Sequence, residues 1–498
     1  MLVSSGAYFQ DDWKITPRLT MNLGIRYELY PALTERVDKR SSFDPSTNTL
    51  IVAGGREAYL GPGGRVLVRS RADVGRQVYQ TDRNNFAPRI GLAWRPANSG
   101  KTVIRAGFGM FYDIQMVGNG ITPLSRSTPF REAQQAGPFS PPFLTNLRDM
   151  FNLTTSTPVV PGIQRDIKTA YIQQYSFGVQ RELMRNVVLD VTYMGSIGRK
   201  LPVGLNINQA MPGAGAVNSR RPYPGWGGIS GGFITSGAHS SFNSLATRLE
   251  RRFDAGLSLL ASYAWSKSID YTPGVATDDA AAPVFAQNAR NLAAERGVSS
   301  FNTPHRLVLS AVYNLPFARA AGGNRFLKAI LSDWQSTGIF TTMSGRPFTI
   351  TSGRVESNTD GGADRPNAIG DWRVANPGPD RWFNPCTLLA NGTRRNCQAG
   401  DRPAWQINAI NTFGNVGRTT MRGATALNLD AGLFRKINVT ERISAQFRVE
   451  AFNLANRATF LLPIGNAASP TFGTITAAVS SGDFGAQRQF QLALKIGF

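Results

Sequence analysis

Few residues in this chain are of the types that do chemistry, so they can be weighed one by one. Cys386 and Cys397, in CTLLANGTRRNC, are the only cysteines, and the only histidines, His239 and His305, lie far from them in sequence. A metal site built on the two thiols would need further ligands. The pair instead reads as a disulfide that staples one loop, with Cα atoms roughly 4.4–6.8 Å apart, in a chain exported to oxidising conditions. His305 opens a strand pattern at NTPHRL and reads as structural. NTDGGAD presents Asn358, Asp360 and Asp364 at a spacing faintly like a calcium loop, but the glutamate that completes that motif is missing, and the stretch reads as a solvated loop. No nucleophile elbow or metalloprotease motif occurs. The expectation is a protein that is not an enzyme and needs no cofactor and no metal.

Charge points to a partner class only weakly. The 54 basic residues outnumber the 32 acidic ones for a net +22. The arginines are scattered through strand and loop patterns rather than gathered in a stripe, so nucleic acid is not the expected partner. Basic loops facing a phosphate-rich lipid surface, which would be outer-membrane lipid and lipopolysaccharide if the strands below form a barrel there, are the expected reason for the excess.

Composition then narrows the elements that must position these residues. Gly (51) and Pro (29) make up about 16% of 498 residues, above the roughly 12% of average proteins, and the 17% of charged residues falls below the usual quarter. No run of about 18 apolar residues exists, so a transmembrane helix is not expected. A membrane β-barrel remains open, because only every second residue of its strands meets lipid. The opening MLVSSGAYFQDDWK has no basic start, sustained apolar stretch or small-residue cleavage site, and so carries no signal peptide.

Period-two alternation is the dominant pattern. LTMNLGIRYELY places Leu19, Met21, Leu23, Ile25, Tyr27 and Leu29 opposite Thr20, Asn22, Gly24, Arg26, Glu28 and Tyr30; TVIRAGFGMFY, NVVLDVTY, LSLLASYAW, HRLVLSAVYNL, LNLDAGLF and ISAQFRVEAF repeat it. Many of these segments are as long as a tilted strand needs to cross a bilayer, whereas soluble strands average five or six residues. About thirteen strands are expected: near Gly6–Ile15, Leu19–Tyr30, Asn85–Arg95, Thr102–Tyr112, Thr169–Glu182, Asn186–Tyr193, Phe242–Phe253, Leu257–Ser266, His305–Leu315, Trp334–Met343, Leu427–Phe434, Ile443–Asn453 and Gln487–Phe498.

Connections strengthen the reading. Tight joints (TPR, PANSG, LMR, DAG, VTE and one longer joint from Pro316 to about Ser332) alternate strictly with long polar Gly/Pro-rich stretches near 31–84, 113–168, 194–241, 269–303, 344–426 and 456–484. That is the rhythm of short periplasmic turns and large extracellular loops. Trp13, Trp94, Phe253, Tyr313 and Phe498 lie near short-turn ends, and Tyr30, Tyr112, Tyr193 and Trp265 near long-loop ends, as two aromatic girdles would require. The polar faces carry Arg26, Arg105, Arg248, Glu250, Arg448 and Glu450, charges that a hydrated lumen tolerates and a packed core does not. The chain ends on GAQRQFQLALKIGF, where Phe490, Leu492, Leu494, Ile496 and Phe498 alternate with polar or small residues. In an outer-membrane barrel such a strand would close the wall with its apolar face on lipid, and its aromatic end resembles the signal read by the barrel-assembly machinery.

YFQDDWKITPRLTMNLGIRYE, NFAPRIGLAWRP, YIQQYSFGVQREL, FNSLATRLERRFDAGLSLLASYAWSKSID, DWQSTGIFTTMSGRPFT and NLDAGLFRKINVTERISAQFRVEAFNLANRATF resemble, over nearly the whole chain, the barrel of the Oar-like TonB-dependent receptors. The resemblance implies an all-β, antiparallel outer-membrane barrel of 22 strands in a Gram-negative bacterium, an internal plug, and a TonB box coupling transport to the TonB complex. Residues 1–498 would then be the C-terminal, partial barrel domain, without plug, TonB box or signal peptide. Both the first and last strands here descend to a short-turn rim, and a complete barrel begins on an ascending strand, so an odd number of strands would be missing upstream: nine, if the whole has 22. The fragment's wall is expected to stay open, or else to pair its first and last strands in parallel. The expected function is uptake of a bulky extracellular ligand such as a siderophore, glycan or peptide, with TonB engaged only through the missing N-terminal part. Alternatives are a non-transporting surface-binding or structural outer-membrane protein, and a soluble all-β binding protein.

Overall fold

The computed structural model describes the chain apart from residues 1–3, 56–74, 114–123, 125–160, 228–231, 255, 272–285, 323, 363, 439, 441, 480–486 and 498. Thirteen strands follow one another in a single antiparallel meander: β1 (Ser5–Thr16), β2 (Leu19–Leu29), β3 (Phe86–Trp94), β4 (Thr102–Tyr112), β5 (Tyr171–Met184), β6 (Val187–Leu205), β7 (Phe233–Asp254), β8 (Leu257–Asp270), β9 (His305–Asn314), β10 (Trp334–Met343), β11 (Ala426–Asn438), β12 (Ser444–Phe452) and β13 (Gln489–Gly497). Each pairs with the next in sequence, as the alternation of short and long connections predicts. β1 and β13 stand at the two ends of the sheet and do not pair, so the wall is open.

Tight turns explain the hairpins. Asn186 takes φ 64° between β5 and β6, and Gly256 φ 84° between β7 and β8, a conformation that asparagine and glycine adopt at low cost. Antiparallel succession puts all six short joints on one rim and the long connections on the other. Between β9 and β10 the short rim carries a 3-10 turn (Pro316–Ala321) and a helix, α1 (Arg325–Leu331), where the sequence predicts only a longer joint.

Register fixes two faces. Ile25 lies opposite Phe9, Leu23 opposite Ile90, Phe108 opposite Tyr175, Leu309 opposite Phe340, and Val449 opposite both Leu433 and Leu492, so the apolar residues share one face across the sheet. That face is uncovered: Phe9 is 74% and Leu492 70% exposed. A water-soluble protein rarely leaves so large an apolar surface bare. On the other face, Ser244, Ser268, Asp270 and Asn428 are buried.

Two strands outrun their sequence bounds the furthest. β6 continues to Leu205 rather than ending at Tyr193, and β7 begins at Phe233 rather than Phe242, the two remaining paired up to Leu205 and Phe233. Backbone ladders need no alternating pattern, and Val203, Leu205, Ile234 and Ala238 are buried there by the loop layer.

The long connections are packed, not merely polar. One core joins Ala32, Leu33, Ile51, Val78, Tyr79, Ile163 and Ile234; a larger one joins Phe348, Ile350, Phe383, Trp405, Met421 and Phe472. Phe43, Trp226 and Phe233 tie the 41–52 hairpin to the 206–227 stretch, with Phe43 and Trp226 rings 5.6 Å apart. The described parts of the loops thus form a packed second layer on one rim of the wall.

Candidate functional site

Strand register places all six charged residues singled out by sequence, Arg26, Arg105, Arg248, Glu250, Arg448 and Glu450, on the polar face. They do not form one site. Arg105, on β4, donates to Gln180 on β5 (Nη1 to Oε1, 2.8 Å); Gln180 lies opposite Asp190, and Asp190 opposite Arg248, which pairs with Glu250 at 2.9 Å. This makes a polar belt across β4 to β7. Arg26 stands apart, paired with Glu28, whose other oxygen accepts from Tyr30 Oη at 2.9 Å. Arg448, across the sheet, donates to Gln446 and sits 5.5 Å over the Phe434 ring, while Glu450 lies opposite Gln491. Phe490, Leu492, Leu494 and Ile496 of β13 project to the apolar face; Phe498 lies outside the described residues.

Buried ion pairs lie in the loop layer, at positions that no sequence pattern marks. Arg365 makes a two-pronged pair with Glu295, Nη1 to Oε2 at 2.7 Å and Nη2 to Oε1 at 2.9 Å, with both side chains 5% exposed or less. Nε of Arg365 donates to Val416 O, and Glu295 Oε1 also accepts from Gln287 N. Arg418 pairs with Asp270 at the end of β8 and donates through Nε to Glu295 O at 3.0 Å. These side chains clamp the 344–425 connection to the 271–304 connection and to the wall. Gln209 extends the clamp to a third connection, donating to Gln287 O at 2.9 Å and accepting from Ala289 N.

The NTDGGAD stretch is a correction. It is only partly solvated: Asp360 and Gly362 are exposed, but Asp364 is buried and accepts from Ser357 N at 2.6 Å and Ser357 Oγ at 3.0 Å, Asp360 pairs with Arg221 at 2.7 Å, and Asn358 donates to Gly213 O and Gly215 O. Asp360 joins two loops and Asp364 braces its own loop, and among the described residues no group of side chains is arranged to hold a metal ion. Burial pushes the Asp364 carboxyl above its ordinary range, with the Ser357 hydrogen bonds acting in the opposite sense. A carboxyl raised on folding contributes stability that is fully present below its unfolded value, about pH 4, and is lost as pH rises through the folded value. The 352–364 segment should therefore open more at pH 8 than near pH 4. Hydrogen exchange of its amides, corrected for intrinsic rates, measures this, and Asp364→Asn should flatten the dependence.

Cys386 and Cys397 are disulfide-bonded, their Cα atoms 4.2 Å apart, slightly closer than the spacing expected from sequence. Thr387 and Leu388 pair with Arg395 and Arg394, so a two-stranded ribbon already closes the same loop. The bond should therefore add only the lower end of the usual range, about 2 kcal/mol. Reduction should loosen residues 386–397 and leave the wall intact, as protease mapping with and without reductant would record. His305 opens β9, its Nδ1 2.8 Å from Tyr263 Oη, and His239 sits within β7 against the Tyr271 ring.

An antiparallel meander with one bare apolar face, one charged face, short turns on one rim and packed loops on the other is the wall of an outer-membrane β-barrel. Residues 3–491 match the family model for the outer membrane beta barrel domain, and the chain belongs to that family, a family of the outer membrane. No curated protein matches it. Among solved structures it is similar to the outer membrane transporter YddB of Escherichia coli (10% identity, TM-score 0.47, covering 99% of this chain and 45% of that one). It is similar too to the pyoverdine receptor FpvA of Pseudomonas aeruginosa PAO1 (10%, 0.42, 99% and 42%) and to the ferric-catecholate import receptor Fiu of E. coli K12 (10%, 0.38, 99% and 44%). The chain spans less than half the length of these structures.

Proposed function

We propose that the chain is a barrel portion of an outer-membrane receptor of the Oar-like TonB-dependent type, serving uptake of a bulky extracellular ligand such as a siderophore, glycan or peptide. The observation that carries the reading is the pairing of a charged wall face with a loop layer clamped by buried ion pairs. A hydrated lumen accounts for the first, and a rigid, sculpted outer surface suited to a large ligand accounts for the second. Energised transport would depend on a plug and TonB box elsewhere in the receptor, and the β13 face would be read by the barrel-assembly machinery. The names of YddB, FpvA and Fiu, a transporter, a pyoverdine receptor and a ferric-catecholate import receptor, lean the same way.

The test is to display the receptor on cells and offer labelled ferric siderophores, oligosaccharides and peptides, with and without a protonophore. One class should be taken up, and collapse of the proton gradient should stop entry while leaving surface binding intact. Binding without entry under either condition would favour the surface-binding alternative, and no association of any class would end both.

A further inference from the structure

Helix α1, on the short-turn rim, is exposed from Arg325 to Ile330 and half-buried at Leu331, with Phe326 at 74% exposure and Leu327, Ile330 and, in the preceding 3-10 turn, Phe317 also exposed. At 100° per residue, Phe326, Leu327, Ile330 and Leu331 occupy one arc of about 140°, and Arg325 and Lys328 lie opposite. From Leu315 to Ser332 the basic side chains are Arg319, Arg325 and Lys328, and there is no acidic one. Asn324 caps the helix, accepting from Phe326 N and Leu327 N.

Its attachment says which side of the wall it occupies. Trp334 Nε1 donates to Ile330 O at 3.0 Å, and Arg435, stacked 5.7 Å over the Trp334 ring, donates to Ala329 O. Trp334 lies opposite Arg435, and Arg435 opposite Phe447; both side chains therefore belong to the apolar face that carries Phe447, Val449 and Leu494. The last-turn carbonyls of α1 are thus held by residues of the bilayer-facing surface, at the rim where short turns meet the periplasm.

We propose that α1 is an interfacial helix whose apolar arc lies among the acyl chains of the periplasmic leaflet while Arg325, Lys328 and Arg319 hold phospholipid phosphates. Continuity with the apolar wall face and the one-sided positive charge favour phospholipid over a protein partner. The arrangement widens the wall's grip on the membrane at the one short-rim joint that is long enough to form a helix.

The test uses the full chain in vesicles of phosphatidylethanolamine and phosphatidylglycerol, with a nitroxide on Phe326→Cys, Ile330→Cys or Lys328→Cys; the native cysteines are disulfide-bonded and take no label. All three positions are exposed, so folding is not at stake. Labels at 326 and 330 should collide several-fold more with oxygen than with a water-soluble nickel chelate, relative to the label at 328. Equal ratios at the three positions would place α1 in water and overturn the proposal. Low collision with both reagents at 326 would mean that protein covers the arc, which also overturns it. In the Phe326→Cys background, Arg319→Ser with Arg325→Ser and Lys328→Ser should make the 326 label shallower, and an unchanged depth would remove the phosphate contacts.

Discussion

Replacing Arg365 by alanine should destabilise the loop layer by about 3–5 kcal/mol, because it leaves the Glu295 carboxylate buried with no opposite charge beside it. The two guanidinium nitrogens and the two carboxylate oxygens face each other at 2.7 and 2.9 Å in a region shut off from water, and Val416 O would lose its donor as well. Glu295→Ala should cost a similar amount by stranding the guanidinium and Gln287 N. The double variant Arg365→Met with Glu295→Gln should cost less than either single truncation, since neither position leaves an unpaired buried charge and glutamine still accepts from Gln287 N. Hydrogen exchange of amides at 286–302 and 364–367 reads the effect directly. Wall amides should keep their protection. Protection losses under about 1 kcal/mol in both single variants would mean that water reaches the pair and that the clamp is not buried in solution.

Sequence disclosed the wall far better than the layer above it. The bounds expected for β4, Thr102–Tyr112, coincide with the strand found because Ile104, Ala106, Phe108 and Met110 alternate with Arg105, Gly107 and Gly109; those of β10, Trp334–Met343, coincide as well, although Ile339 and Met343 share its polar face with Gln335 and Thr337. Beyond Tyr193 such alternation stops. GSIGRKLPVGL still forms strand, but Gly195, Gly198, Pro202 and Gly204 read as loop, and its upper part is covered by loops that bury Val203 and Leu205. The loop cores were illegible for a related reason. Trp405, Phe383 and Phe472 meet edge to face from positions with no shared period, their ring centroids 5.1 to 6.4 Å apart. Glu295 and Arg365 are 70 residues apart, and Asp270 and Arg418 are 148 apart. A single sequence gives no sign that such distant charges meet. The polar-face charges, by contrast, were readable because a strand's parity assigns its face, although parity alone could not tell that Arg105 and Arg248 share a belt while Arg448 stands elsewhere.

Arginine placed at Leu492 should cost about 2–4 kcal/mol in a bilayer, whereas arginine one residue earlier, at Gln491, should cost little or nothing. The two positions are neighbours on β13 and differ only in face. Leu492 sits opposite Val449 on the apolar face and is 70% exposed, so an arginine there would have to carry its charge toward hydrocarbon. Gln491 sits opposite Glu450, so an arginine there gains a carboxylate partner on the polar face. Val449→Arg, on β12 between two paired strands, should be as costly as Leu492→Arg, since the side chain has even less room to reach the interface. Urea titration of folding into vesicles gives the free energies, and the same variants in detergent-free buffer provide a contrast. A soluble sheet would rank the substitutions by packing loss alone and would show no penalty that depends on lipid. If Leu492→Arg and Gln491→Arg fold into vesicles with equal stability, the apolar face does not meet the bilayer, and the assignment of faces on which the lumenal belt, the loop layer's outward aspect and the interfacial helix all depend would fall with it.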